Sequence, residues 1–211
     1  MHEIRLDPAA SPRRRRFGAT ALAVGAALLC GGLAAGCRNE APSFKSTDIT
    51  GADYGKQLML TDAVTGKPAK LEDFRGKLLL VFFGFTHCPD ICPTTLLKAA
   101  EVKKALGSKA DKLQVLFVTV DPERDTPEVL SKYVPSFDPS FIGLRGSGDE
   151  TTRAAREFKV FFQKVPNRDG TGYNVDHTAA SYVLDTQGRL RLFVRQTQPV
   201  EEIVADLQQL L

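Results

Sequence analysis

From Leu78 to Phe83 the chain reads Leu-Leu-Leu-Val-Phe-Phe, and the apolar run stops at Gly84. A run with no polar face is the pattern of a strand covered on both sides, and a sheet open to water on one side has no use for it. After Pro93 the spacing changes. Leu96, Leu97, Ala100, Val102 and Leu106 recur at helical intervals, and Gly107 ends the pattern. Between strand and helix lie Phe85-Thr86-His87-Cys88-Pro89-Asp90-Ile91-Cys92-Pro93. A buried strand feeding directly into a helix selects a layered α/β fold, and it sets two cysteines at the start of that helix.

The remaining pattern extends this frame. Gln57 to Leu60 predicts a short strand, followed by a turn at Thr65-Gly66-Lys67-Pro68. Leu113 to Val120 predicts a second buried strand, Asp121 to Pro127 a loop that opens a helix through Tyr133, and Phe141 to Leu144 a short strand. Thr151 to Phe162 predicts a helix, and Val165 to Asn174, polar with two glycines, a loop. Ser181–Leu184 and Leu190–Val194 pair as a hairpin across Asp185-Thr186-Gln187-Gly188, and Val200 to Leu211 closes the chain as an amphipathic helix. This order gives a mixed β-sheet flanked by helices on both faces. A cysteine pair where the first buried strand meets its helix is the thioredoxin-like arrangement.

The N-terminal 37 residues read as a targeting segment. Arg13 to Arg16 form a basic start, Phe17 to Gly36 carries no charge, and Leu33-Ala34-Ala35-Gly36-Cys37 resembles the lipobox of bacterial lipoproteins, in which the cysteine is acylated. The leucine lies one position further upstream than in the usual box. The competing reading is an uncleaved anchor, since a bilayer needs about 20 apolar residues. Both readings tether the domain to a membrane on its extracytoplasmic side, the periplasmic side of a bacterial cell envelope. Cys30 falls inside the apolar run and reads as inert. Residues 38–52 read as a polar membrane-proximal linker and 53–211 as the functional domain, long enough for one proper core. Arg5 and Arg13 to Arg16 account for the basic excess of the whole chain, so the rest is close to neutral and argues against nucleic acid.

With Cys37 assigned to lipid, only Cys88 and Cys92 remain in the domain, and one close pair is no disulfide scaffold. A helix N-terminus favours thiolate, the form that binds metals and attacks disulfides. The other chemical candidate is His177, in Val175-Asp176-His177-Thr178. In a thioredoxin-like fold this junction faces the cysteine pair. Two thiolates and an imidazole make a soft donor set that suits Cu(I), while the same thiols can close into a disulfide. His87 abuts Cys88 but is expected to point away.

Gly84 to Pro93, Val120-Asp121-Pro122-Glu123-Arg124-Asp125-Thr126-Pro127 and Val175 to Thr178 together resemble the Sco/SenC family of copper chaperones. These assist assembly of the dinuclear copper centre of cytochrome c oxidase. The resemblance runs from about Phe44 to the C-terminus, with its three motifs in the family's order. It implies a thioredoxin-like fold in which Cys88, Cys92 and His177 bind one copper ion, as Cu(I), Cu(II) or both. It also makes Asp121 a candidate beside the ligands, against the plainer reading of an exposed turn residue before Pro122. Asp125 reads as a helix cap, and Asp176 as a residue that either orients His177 or points elsewhere.

Neighbouring classes fit less well. A peroxiredoxin carries Thr or Ser three residues before its reactive cysteine, where this chain has Phe85 and Pro89. An ordinary thioredoxin carries C-x-x-C facing a cis-proline, and no proline adjoins His177. Zinc also takes such a donor set, but no Glu-based hydrolytic motif accompanies it here. Met59 is the sole methionine of the domain, too few for methionine-rich copper capture. Two functions follow. One is a membrane-tethered copper metallochaperone serving the copper-bearing subunit of cytochrome c oxidase. The other is a thiol-disulfide reductase with Cys88 and Cys92 as its redox pair, keeping that subunit's cysteines reduced. Either needs an upstream copper donor or thiol reductant.

Overall fold

The computed structural model describes residues 43–211. The targeting segment, with Cys30, Cys37 and the arginine run, lies outside the described residues. The strands are β1 (Thr47–Asp48), β2 (Met59–Asp62), β3 (Pro68–Lys70), β4 (Leu78–Gly84), β5 (Leu113–Thr119), β6 (Ile142–Arg145), β7 (Phe162–Pro166), β8 (Tyr173–His177), β9 (Ala180–Leu184) and β10 (Leu190–Arg195). The helices are α1 (Ile91–Ala105), α2 (Pro127–Tyr133), α3 (Gly148–Glu157) and α4 (Val200–Leu210).

Eight strands form one sheet in the order β1-β10-β9-β4-β5-β6-β2-β3, with β7 and β8 paired separately. β4, β5 and β6 run parallel, and β9 adds antiparallel to β4. All seven residues of β4 and of β5 are buried, as their unbroken apolar runs require. The two faces of β4 meet different partners. Phe82 stacks near Phe117, which meets Tyr133 of α2, while Leu80 lines a crevice with Ala99 and Val102 of α1 and Ile203 of α4. Phe83 on the other face packs against Phe158, the residue that ends α3, and Phe158 against Tyr182. The sheet is therefore mixed and flanked by helices on both faces. Each fully buried Phe or Leu contributes about 1.5–3 kcal/mol of transfer free energy.

Three stretches differ from the sequence-based expectation. Residues 43–52, expected within the linker, lie along the domain: Thr47 and Asp48 pair with Phe193 and Leu192, and the Asp206 carboxylate accepts from the backbone N–H of Lys45 and Ser46. Pairing through backbone groups needs no hydrophobic alternation, so the polar sequence concealed it. The third helix starts at Gly148, because Ser147 and Glu150 form a reciprocal capping box, and Lys159 turns the chain out through a left-handed backbone. The expected loop at 165–174 is largely a hairpin. β7 and β8 expose most of their side chains, so no period-two apolar pattern marks them.

Candidate metal centre

β4 delivers the chain to the site at Gly84, where only glycine fits. A Cβ there would stand 2.7 Å from the Cys92 sulfur and 2.9 Å from the Phe82 ring. The missing side chain is the space the Cys92 sulfur occupies. Cys92 lies in the first turn of α1 and is fully buried, while Cys88, in the preceding turn, is half-buried. His177 arrives from the far side, as the last residue of β8. Its ring stands edge-on to Phe82 and Phe85, with centroids 6.0 and 5.8 Å away. The two sulfurs and one imidazole nitrogen lie within 4.8 Å of one another, forming a Cys88–Cys92–His177 cluster in which the histidine is 85 residues from the nearer cysteine.

The electrostatics divide the two thiols. Cys88 is held down to about 4, first by a hydrogen bond from the Cys92 thiol, then by the backbone N–H groups of Cys92 and Asp90 at the start of α1, and by His177, against the opposing effect of burial. Cys92 is pushed well above its ordinary range by donating to the Cys88 sulfur and by burial. At neutral pH the pair is one thiolate and one thiol. The imidazole tautomer follows from its partners. Nδ1 lies 3.1 Å from the carbonyl oxygen of Thr178, which can only accept, so Nδ1 carries the proton. Nε2 lies 3.6 Å from the Cys92 sulfur. The Cys92 sulfur thus lies between the Cys88 sulfur and the imidazole, in a gap that a cation could bridge.

The other sequence candidates fall around this cluster. His87 is half-exposed, with Nδ1 3.2 Å from the Thr86 hydroxyl, and it lies outside the cluster. Asp176 is exposed and faces away. Asp121 is fully buried rather than an exposed turn residue, with its carboxylate bonded to the Arg124 guanidinium and to the Tyr173 hydroxyl at 2.8 Å. It reaches no cluster residue directly. Arg124 carries the link onward. It lies 3.9 Å over the Tyr173 ring and 5.7 Å from the Phe85 ring, which in turn abuts His177.

Asp125 overturns its expected role. Thr126, not Asp125, caps α2. Asp125 is instead a fully buried carboxylate that accepts from the Thr86 backbone N–H at 3.1 Å and from the hydroxyls of Thr86 and Thr119, both at 2.6 Å. It ties the turn before Cys88 to the end of β5. Gly84, Arg124, Thr119 and Tyr173 carry comparable roles that sequence reasoning missed, and only the close spacing of Asp121, Arg124 and Asp125 hinted at them.

A thioredoxin-like scaffold bearing a dithiol and an imidazole at the strand–helix junction defines a class of soft-metal and thiol-redox proteins. The sequence model of the SCO1/SenC family matches residues 46–211, and the chain belongs to that family. It is 38% identical over 144 residues to the mitochondrial SCO2 homologue of Mus musculus, an alignment covering 67% of this chain and 56% of that protein. The chain spans about half the length of the curated mammalian relatives it matches. Among solved structures it is similar to Bradyrhizobium japonicum ScoI with copper bound, at 42% identity and a TM-score of 0.68 over 75% of this chain and 99% of that one. It is also similar to apo Sco1 of Thermus thermophilus, at 41% identity and a TM-score of 0.71 over 80% and 98%.

Proposed function

We propose that this chain is a membrane-tethered copper metallochaperone, and that Cys88, Cys92 and His177 hold one copper ion as cargo for the dinuclear copper site of cytochrome c oxidase. The observation that carries the reading is the convergence of two sulfurs and an imidazole nitrogen within 4.8 Å. Thiolate and imidazole suit a soft cation, and a relative 42% identical is described with copper bound. Cys88 is already thiolate, so loading needs only the Cys92 proton to leave. Three donors leave one approach open, and an incoming thiolate of the oxidase subunit adds there before a donor is released. Lipid at Cys37, or an uncleaved anchor, holds the domain on the periplasmic side of a bacterial envelope. Among the described residues no helix is long and apolar enough to cross a membrane.

A second reading draws on the asymmetry of the thiols. A half-buried Cys88 thiolate beside a buried Cys92 thiol suits thiol-disulfide exchange. Cys88 attacks a partner disulfide and one partner thiolate leaves. Cys92 then attacks the Cys88 sulfur, the second partner thiolate leaves, and an upstream thiol reductant reduces the resulting Cys88–Cys92 disulfide. One experiment separates the readings: titration of the reduced full chain with copper against a competing Cu(I) chelator, beside His177→Ala. The proposal expects one tightly held copper per chain, weakened at least tenfold in the variant. Equal retention in both removes His177 from the site. No tight copper in either, with disulfide reduction that needs both cysteines, selects the reductase.

A further inference from the structure

At the end of the sheet opposite the cysteines lies a cleft of about 660 Å³ that the proposed function leaves unused. Lys56, Arg75, Arg189 and Arg191 line it with Tyr54 and Gln187, and no carboxylate is among its lining residues. The carboxylates around it are Asp185, shared between Arg189, at 2.8 Å, and Arg191, at 3.3 Å, Asp48, which also acts on Arg191, and Glu157, which accepts from the Lys56 backbone N–H at 2.7 Å. Lys56 and Arg75, both exposed, complete the basic lining. Lys159 stands 4.2 Å over the Tyr54 ring at the same rim, its own ion pair with Asp53 being exposed and loose at 3.8 Å. The lining itself thus carries four basic side chains and no carboxylate.

Its position gives it meaning. The backbone N–H of Gly76, next to Arg75, donates to Thr186 in the turn that carries Gln187 and Gly188. From there β4 runs seven residues to Gly84 and on to the cysteine turn. At about 3.3 Å per residue this separates cleft and thiols by more than 20 Å. The chain enters the described domain at this same end. Gln209, near the end of α4, donates to the Ser43 carbonyl, and the Phe44 ring lies 5.8 Å from the Arg191 guanidinium. Ser43 follows Cys37 by six positions, a reach of at most about 20 Å.

We propose that this cleft docks an anionic phospholipid headgroup, so that the domain stands on the membrane with its cysteines and histidine facing away. Guanidinium and ammonium groups bind a phosphodiester through charge-assisted hydrogen bonds. A tether this short keeps the cleft within a Debye length or two of the surface, where each Lys or Arg strengthens docking about fivefold. The inference rests on the membrane tether of the proposed function, not on its copper chemistry.

The chain contains no tryptophan, so Gln187→Trp, at the exposed rim, is a sole reporter of the cleft, and Leu97→Trp, on the exposed side of α1, serves the other end. The full chain bearing either reporter is reconstituted in phosphatidylcholine vesicles with and without brominated phosphatidylglycerol. Bromine quenching of the cleft reporter and not of the α1 reporter in the anionic vesicles is expected. It should fall at about 0.5 M NaCl and with Lys56→Glu/Arg75→Glu, by at least about twentyfold in the docking equilibrium for the double variant. Equal quenching of both reporters, or none of the cleft reporter, overturns the proposal. Loss of quenching at the cleft on adding millimolar inorganic phosphate assigns the cleft to free phosphate and overturns docking. A chain that does not float with the vesicles overturns tether and docking together, while copper retention in the same preparation reports separately on the metal site.

Discussion

The two arms of the cluster are built on opposite plans. The cysteine arm stands on β4 and α1, where every β4 residue is buried and Cys92 fills a gap that Gly84 leaves. The histidine arm is β7–β8, a two-stranded ribbon that pairs with no other strand among the described residues and is buried chiefly through Val175. An isolated hairpin is marginal in water, so this one depends on the few links that dock it. They include Arg124 Nη1 to the Tyr173 carbonyl at 2.8 Å, the Tyr173 hydroxyl to Asp121, Lys164 with Glu123 at 2.6 Å, and the His177 ring against Phe82 and Phe85. The contrast teaches how a site can hold a cation and still give it up. Two donors are fixed by the core, and the third sits on a segment whose opening costs less than global unfolding.

The largest expected effect lies on the cysteine arm and follows from its protons. Above about pH 4 Cys88 is thiolate, whereas Cys92 keeps its proton through neutrality. Binding a cation to both sulfurs therefore expels one proton from the thiol pair, and apparent affinity rises about tenfold per pH unit around neutrality. Below about pH 4 Cys88 also takes a proton and the dependence steepens. Proton release into weak buffer during metal titration at pH 7 should give one proton per ion. A value of two would make both cysteines thiols in the free protein and erase the asymmetry between them.

Next is Asp125→Ala, also on the rigid arm. It leaves the Thr86 N–H, the half-buried Thr86 hydroxyl and the buried Thr119 hydroxyl without their acceptor, at a cost of about 1–3 kcal/mol for each group that finds no other partner. Denaturant unfolding should shift to a lower midpoint, and the turn before Cys88 should lose protection from hydrogen exchange. Unchanged stability would mean that the turn is held by its neighbours and that the buried carboxylate is incidental.

What the sequence made legible follows the same division. β4, α1, β5 and the β9–β10 hairpin announce themselves because burial imposes a period on their side chains, and Cys88 and Cys92 stand where those periods change. The β7–β8 ribbon carries no such period. Lys164, Asn174 and Asp176 are exposed beside Phe162 and Val175, so its strands are set by backbone pairing and by the turn at Asn167–Gly172, where Asp169 accepts from Thr171 and two glycines adopt positive φ. Asp125 was misjudged for a related reason. Its partners, Thr86 and Thr119, are 39 and 6 residues away, and a local rule about helix caps has no access to them. Local chemistry was readable wherever it repeats or adjoins; a lone buried carboxylate does neither.

The smallest expected effect tests the histidine arm directly. Tyr173→Phe removes one hydroxyl that donates to Asp121 and leaves the ring beneath Arg124 and Lys164. Asp121 keeps its ion pair with Arg124, so the loss is about 0.5–1.5 kcal/mol. If the ribbon is an appendage, that loss falls on its docking equilibrium and not on global unfolding. The melting midpoint should then hold while copper is released severalfold faster to a competing chelator, and hydrogen exchange should rise in β7 and β8 alone. A midpoint lowered as far as by Asp125→Ala would instead make the ribbon part of the cooperative core. The histidine would then be as fixed as the cysteines, and release would have to begin at Cys88, the sulfur nearest solvent.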